Sequence, residues 1–341
     1  MVSLRVGLLG LGNVSIALVK HYLNITNEIS DRYGLKLDFI YTCDSRRIYY
    51  SAQSDISDII VKKEKGLFGS EKTTETLEQF HEIIDDNKID VLIDCLPSSK
   101  SDAGPTLPLL IQALKKNIGI ICVNKAPLAF SGEKILEVAR QYQTKIGLSG
   151  ATAGCLPSSG VMLHELVGSG IYQIRGILNG TSNHVLDSIM FNDFSMDQAI
   201  QSAIDLGITE PDYTFDLSGL DTCFKMIILG LLITGRTKPL EEITCTGILG
   251  LELDHIKRVV RENKLLRLIG DLQVEKGAVD ISVRPEEIDR RDPLFAVCGR
   301  GKGITFRTKY MGDLTVLGGS SGRTNIAAAI LKDIINIAKP E

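Results

Sequence analysis

Residues 207–225 read Gly-Ile-Thr-Glu-Pro-Asp-Tyr-Thr-Phe-Asp-Leu-Ser-Gly-Leu-Asp-Thr-Cys-Phe-Lys and set Glu210, Asp212, Asp216 and Asp221 ahead of a single lysine, Lys225. The run after Lys225, Met-Ile-Ile-Leu-Gly-Leu-Leu-Ile, is almost wholly apolar, and a helix apolar on every side is a buried one. A carboxylate-rich turn therefore leads into the core, with a lysine at the point of entry. Lysines taken out of water change their proton affinity and serve as acids or bases. Asp221 and Lys225 are four apart and share a helix face. They read as an acid/base pair, as an ordinary intrahelical ion pair, or as a capping acid with its neighbour.

A second chemical feature lies at the other end of the chain. Residues 4–9 read as a short buried strand, and Gly10-Leu11-Gly12-Asn13-Val14-Ser15 follows it and opens a helix. A tight glycine turn that brings backbone close to a pyrophosphate, with a helix N-terminus facing the anion, is how dinucleotides are held. The third glycine of that pattern is here Ser15, small enough for close packing. The second strand, 37–42, runs out at Cys43-Asp44-Ser45-Arg46-Arg47. An acid there suits the ribose 2′-hydroxyl of NAD, and arginines suit the 2′-phosphate of NADP. Both kinds are present, so the cofactor is NAD or NADP. Gly10, Gly12, Asn13, Val14, Asp44 and Arg46 are the candidate cofactor residues.

The elements that must position these groups alternate. A helix over 13–32, the strand 37–42, a polar surface excursion over 51–76 and a helix over 77–84 come first. A strand over 90–95, a helix over 107–116, a strand over 119–123, a helix over 133–142 and a strand over 145–148 follow. Strands alternating with helices imply parallel pairing in a doubly wound sheet. The pattern changes after Gly150. A helix over 157–167, a strand over 172–178, a Ser195/Gln198 capping box and the apolar helix from about Ser218 follow. Strand character fills 265–317, and Gly318-Gly319-Ser320-Ser321-Gly322 opens a last helix over 325–337. The expected fold is α/β: an N-terminal Rossmann-type nucleotide-binding domain, 1–134, completed by 308–341, with an α+β catalytic and dimerisation domain over 135–307.

A chain of 341 residues is long enough for two cores. Its formal charge of −4, with no block of Lys and Arg, gives no reason to expect nucleic acid or a membrane surface as partner. The seven cysteines form no Cys-x-x-Cys and are odd in number, which points to reduced thiols rather than a disulfide frame or a zinc site. The N-terminus is too short and too glycine-punctuated for a signal peptide. A cytoplasmic protein is expected.

Over nearly its whole length the chain resembles the homoserine dehydrogenases. The motifs are Gly-Leu-Gly-Asn-Val at 10–14, Val-Asn-Lys-Ala-Pro at 123–127, Ile-Leu-Asn-Gly-Thr-Ser-Asn at 177–183 and the spaced acids and lysine of 207–225. The resemblance implies reversible NAD(P)H-dependent reduction of L-aspartate 4-semialdehyde to L-homoserine, on the route to threonine, methionine and isoleucine. It makes Lys225 the acid/base lysine with Asp221 orienting it, and Lys125 a second lysine by nicotinamide and substrate. Glu210 and Asp216 become carboxylates for the substrate's ammonium, Gly180 and Thr181 a substrate contact, and Gly322 part of the closing glycine turn at the cofactor. Asn179 and Ser182 read as no more than a turn. The small-molecule substrate is the expected partner, in a homodimer, with neither an aspartokinase part nor an appended regulatory domain expected.

The chain departs from its relatives in three places. Phe215 stands where many carry a second acid, and Tyr213 replaces a common proline. Family members often bind a monovalent cation through a Glu ahead of an Ala-Thr-Val-Gly-Gly turn. Here the stretch is Ser149-Gly150-Ala151-Thr152-Ala153-Gly154-Cys155-Leu156-Pro157, without an acid, so no metal is expected. Two other readings have their own signals. A cysteine-dependent semialdehyde dehydrogenase would use Cys155 as nucleophile, and a non-enzymatic NAD(P)-binding sensor would keep the fold without the chemistry.

Overall fold

The computed structural model describes residues 1–51, 55–68, 76–209 and 212–339. The chain divides into two compact units, Met1–Ala151 with Arg323–Glu341, and Thr152–Gly322.

The first unit is built on a sheet of β1 (Val2–Leu9), β2 (Leu35–Cys43), β3 (Ile48–Tyr50), β4 (Val91–Asp94), β5 (Gly119–Cys122) and β6 (Ile146–Gly147). The spatial order is β3-β2-β1-β4-β5-β6. Every pairing is parallel except β2 with β3, a hairpin in which Cys43 faces Ile48. Strand order reverses between β1 and β4, and a doubly wound sheet binds its ligand outside the strand ends at such a point. Strands such as Val91–Asp94, apolar up to its last residue, are buried on both faces, as helix-covered parallel strands must be. One cover is the C-terminal helix Arg323–Ala338, whose Ala327, Ile330, Leu331 and Ile334 join Val6, Leu8 and Leu18 in one core.

Three local expectations are revised. The helix expected over 13–32 is two, Asn13–Asn24 and Thr26–Tyr33, broken at Ile25, whose φ/ψ of −120°/19° is not helical. The 51–76 excursion contains the helix Ile56–Glu64, with the Asp55 carboxylate accepting from the Ser57 N–H as its cap and Ile59 and Ile60 buried; residues 52–54 and 69–75 lie outside the described residues. The helix expected from 133 starts at Ala126, with Pro127 in its first turn, where a missing N–H costs nothing. The unit boundaries also fall elsewhere than 134 and 308. Strand β6 pairs with β5, which keeps the chain through 147 in the first sheet.

The second unit carries a sheet of β7 (Ile171–Ile177), β8 (Thr244–Cys245), β9 (Leu265–Glu275), β10 (Ala278–Ile288), β11 (Lys302–Thr308) and β12 (Asp313–Gly318), in the order β12-β11-β7-β9-β10-β8. It is antiparallel apart from β8 on β10. Because β12 pairs with β11, the chain through 318 belongs here. Helices Gly180–Asn192, Met196–Asp205, Leu220–Thr234 and Leu253–Arg261 belong to this unit. The Ser195/Gln198 capping box is formed as expected. In place of the helix expected over 157–167 there is a short turn, Ser158–Gly160, and a π-helical stretch, Val161–Glu165. Helix Leu220–Thr234 is buried without a break from Asp221 to Leu231, so its apolar sequence is indeed a core sequence. Each large apolar side chain so buried is worth roughly 1.5–3 kcal/mol.

Candidate functional site

Two arrangements carry chemistry, one in each unit. In the first, β1 delivers Gly10, whose φ of +92° is one that glycine tolerates and side chains avoid. A Cβ at Gly10 would also stand 3.1 Å from the Cys95 carbonyl oxygen. Gly12 is the N-cap of helix Asn13–Asn24, and no side chain caps it. A Cβ built there meets nothing within 4 Å, so the space before the helix terminus stays open. Ser15 is fully buried and turns its hydroxyl back onto the Gly10 carbonyl, which lets it replace a glycine. Gly12, Asn13, Lys20, His21, Lys63 and Arg323 are among the residues lining a cavity of about 730 Å³. Val14 packs against the core from its half-buried position. An open helix N-terminus beside cationic side chains fits a pyrophosphate.

Asp44 follows the last residue of β2. Its Oδ1 accepts from the backbone N–H of Arg46 (2.8 Å) and Arg47 (3.0 Å), and its Oδ2 from Tyr49 Oη (2.9 Å) and Lys63 Nζ. Burial pushes this carboxyl up, but the bonds from Lys63, Arg46 N–H and Tyr49 outweigh it and hold it below the usual range. Asp44 thus fastens the β2–β3 hairpin that carries Arg46. Lys63 comes from the helix Ile56–Glu64, which sequence reading passed over although Asp55 and the 56/59/60 apolar spacing announce it.

Asp94, at the end of β4, is fully buried. It accepts from Thr106 Oγ1 (2.5 Å), Asn124 Nδ2 (3.1 Å) and Leu96 N–H (3.1 Å). Asn124 in turn accepts from Ala126 N–H at 3.1 Å, and Ser98 Oγ from Lys125 N–H at 2.9 Å. Lys125 is the N-cap position of helix Ala126–Tyr142, its backbone fixed by these bonds. Burial, only partly offset by those donors, pushes the Asp94 carboxyl up to about 6.

In the second unit, Lys225 is 8% exposed. Its ammonium donates to the Leu178 carbonyl (2.7 Å) and to Asp221 Oδ2. Gly219, with φ +89°, is the N-cap of this helix, so Asp221 lies in the first turn, where a carboxylate is favoured by the helix dipole. Asn179, 4% exposed, joins the acids: its Nδ2 donates to Asp221 Oδ2 at 2.8 Å and to Asp216 Oδ1 at 2.7 Å. Its Oδ1 accepts from Ser182 N–H at 2.8 Å and caps helix Gly180–Asn192. Sequence reading gave this residue no more than a turn. Asp216 also accepts from Thr181 (2.9 Å) and Thr209 (3.2 Å). Removal from water, then the neighbouring Asp221 charge, raises the Asp216 carboxyl against the pull of Asn179, Thr181 and Lys225.

Lys225, Asp221, Asp216 and Thr181 are therefore brought together, with Gly180 adjoining. A Cβ on Gly180 would stand 2.3 Å from Ser321 Oγ, so only glycine lets the 318–322 turn close over it. Gly322 ends the second unit, one residue before helix Arg323–Ala338. Glu210 lies outside the described residues. Phe215 meets Phe224 edge to face, ring centroids 5.3 Å apart, so the position that departs from the family pattern serves packing. Cys155 donates its thiol to the Ser320 carbonyl at 3.1 Å. Among the described residues, no helix is long and apolar enough to cross a membrane, and no three His, Cys, Asp or Glu side chains are grouped to hold a metal ion.

The homoserine dehydrogenase family model matches residues 157–335. An NAD(+)-dependent homoserine dehydrogenase of Pseudomonas canavaninivorans is 30% identical over 75% of this chain and 72% of its own. The chain belongs to the homoserine dehydrogenase family. The homoserine dehydrogenase of Helicobacter pylori is 28% identical over 98% of this chain and 74% of its own. The solved homoserine dehydrogenase of Thermoplasma acidophilum superposes with a TM-score of 0.82 at 25% identity, covering 99% of this chain and all of its own. Like the family, the protein is an NAD(P)-dependent oxidoreductase acting on a CH–OH group. Neither a cysteine-dependent dehydrogenase nor a non-enzymatic sensor finds support in these relatives.

Proposed function

We propose that Lys225 is the proton donor when L-aspartate 4-semialdehyde is reduced to L-homoserine, and the acceptor in reverse. Nicotinamide supplies or takes up the hydride when bound. Hydride addition builds negative charge on the aldehyde oxygen, which a positioned ammonium stabilises and protonates. The observation that carries the assignment is the state of Lys225. It is buried, aimed by two acceptors, Leu178 O and Asp221, and has a third N–H to offer among the described residues. Asp221 orients that ammonium.

Asp216 is assigned to the substrate's ammonium and, by family likeness, so is Glu210. Its raised proton affinity supports this, because a carboxylate crowded by another carboxylate gains by receiving a cation. Thr181 and Gly180 are assigned to the amino-acid end. The first unit is assigned to the dinucleotide, through Gly10, Gly12, Asn13, Val14, Asp44 and Arg46, with Lys125 on the nicotinamide side; Gly322, in the second unit, is assigned to the cofactor by family likeness. The likeness to the family also supports a homodimer through the second unit and a cytoplasmic location. Light scattering on the purified protein tests the former.

The test of the central assignment is Lys225→Ala. Loss of a general acid costs ~10²–10⁴-fold in turnover, while NADH and NADPH should still bind with unchanged Kd. A kcat equal to that of the parent enzyme removes Lys225 from the chemistry.

A further inference from the structure

Lys302, the first residue of β11, is only 5% exposed, yet no step of the reaction uses it. A lysine is rarely so deeply covered unless its charge has work at that place. Its Nζ donates to the Ala153 carbonyl oxygen at 3.0 Å, inside the turn that reads Thr152-Ala153-Gly154-Cys155-Leu156. That turn is packed from other sides as well. Thr152 Oγ1 lies 3.3 Å from Ser159 Oγ, and Cys155 donates to Ser320 O. A Cβ on Gly319 would stand 2.6 Å from the Leu156 nitrogen.

The corresponding turn in many relatives holds a monovalent cation, with a Glu as its charged ligand. The donor set here does not fit one: residues 149–157 contain no acid, and the Ala153 carbonyl is taken by an ammonium. A bare alkali ion left with neutral carbonyls alone pays its dehydration poorly, and Lys⁺ and an alkali ion cannot share one carbonyl without repulsion. We propose that the Lys302 ammonium is a built-in substitute for the exchangeable cation: a tethered charge that organises the 152–156 turn and frees the protein from monovalent metal ions. An ammonium and an alkali ion ask the same kind of thing of a turn, a carbonyl oxygen turned toward a positive centre, as Ala153 O is turned toward Lys302. A lysine supplies that centre without a binding equilibrium.

The parent protein provides the first test, in chloride salts of sodium, potassium and choline at equal ionic strength. Melting temperature and initial rate should be the same in all three. A clear gain in either from sodium or potassium over choline overturns the proposal, since a ligand that binds the folded state must stabilise it. The second test is Lys302→Ala. In choline it should melt lower by about 4–10 °C, the loss of a charge-assisted hydrogen bond in a unit of this size. Ammonium or potassium ions should restore the melting temperature, and Lys302→Met, which fills the space with methyl and sulfur, should not respond. A folded Lys302→Ala that ignores every cation overturns the proposal. Should the variant not fold, the salt comparison on the parent protein decides. Melting is read without substrate, so the outcome is independent of whether Lys225 donates the proton.

Discussion

Replacing Asn179 separates two tasks that one side chain performs. Its Oδ1 caps helix Gly180–Asn192 through Ser182 N–H, and its Nδ2 holds Asp216 and Asp221 apart while bonding to both. Asn179→Ser keeps an N-cap acceptor and removes the bridge; Asn179→Ala removes both. A hydrogen bond to a charged group is worth ~1.5–3 kcal/mol and a cap about 1 kcal/mol. The two bridge bonds do not add fully, because Asp221 retains Lys225 and Asp216 retains Thr181 and Thr209. The bridge is therefore worth roughly 3 kcal/mol, and the whole residue roughly 4. In a unit of this size that is a fall in melting temperature of about 6–12 °C for Asn179→Ser, with Asn179→Ala a few degrees lower. A second readout is independent of stability. Without the amide, Asp216 faces Asp221 with one donor fewer, so its proton affinity rises further from an already raised state. Its charge is then present only at higher pH, and the rise in KM for homoserine on acidification should begin at a higher pH than in the parent. If Asn179→Ser melts within about 2 °C of the parent and its KM–pH curve does not move, the bridge does not hold the acids.

Asp94 makes a pH prediction whose sign runs opposite to that of most salt-bridged acids. Its carboxyl is raised from 3.8 to about 6 by burial, so the folded state holds a proton that the unfolded chain gives up first. Stability contributed by that proton is present below about 4 and lost as pH rises through 6, a change of about 3 kcal/mol. Asp94→Asn should lose this slope, gaining on the parent in urea midpoint between pH 4.5 and 7; parallel midpoints at both pH values would refute it. Gly180→Ala drives a methyl group into Ser321 Oγ and Cβ, at 2.3 and 2.7 Å, and should destabilise by about 1–3 kcal/mol. Ser321→Gly should rescue it and Ser321→Ala should not, as judged by thermal melting.

What the sequence showed was what is encoded locally. The strand, the glycine turn and the helix start at 10–15 are contiguous, and so is the step from acids to lysine to apolar helix at 207–225. Each is set by backbone geometry and side-chain spacing within a few residues. The groups it hid act across the chain. Asn179 meets Asp221 over 42 residues of separation, because the end of β7 and the start of helix Leu220–Thr234 are folded together. Asp44 bonds Lys63, 19 residues on, which lies on a helix inside an excursion read as polar loop. Lys302 is the extreme case. Nothing in Gly-Arg-Gly-Lys-Gly marks that lysine as buried, and the turn it bonds lies 149 residues earlier. Its only trace in the sequence was negative: an acid missing at 149–157, where relatives place one. An absent ligand in a familiar turn means either that the site has been abandoned or that its charge has been supplied from elsewhere. The sequence carries no term that separates the two, because that distinction is made by packing. A buried lysine against the Ala153 carbonyl decides for the second.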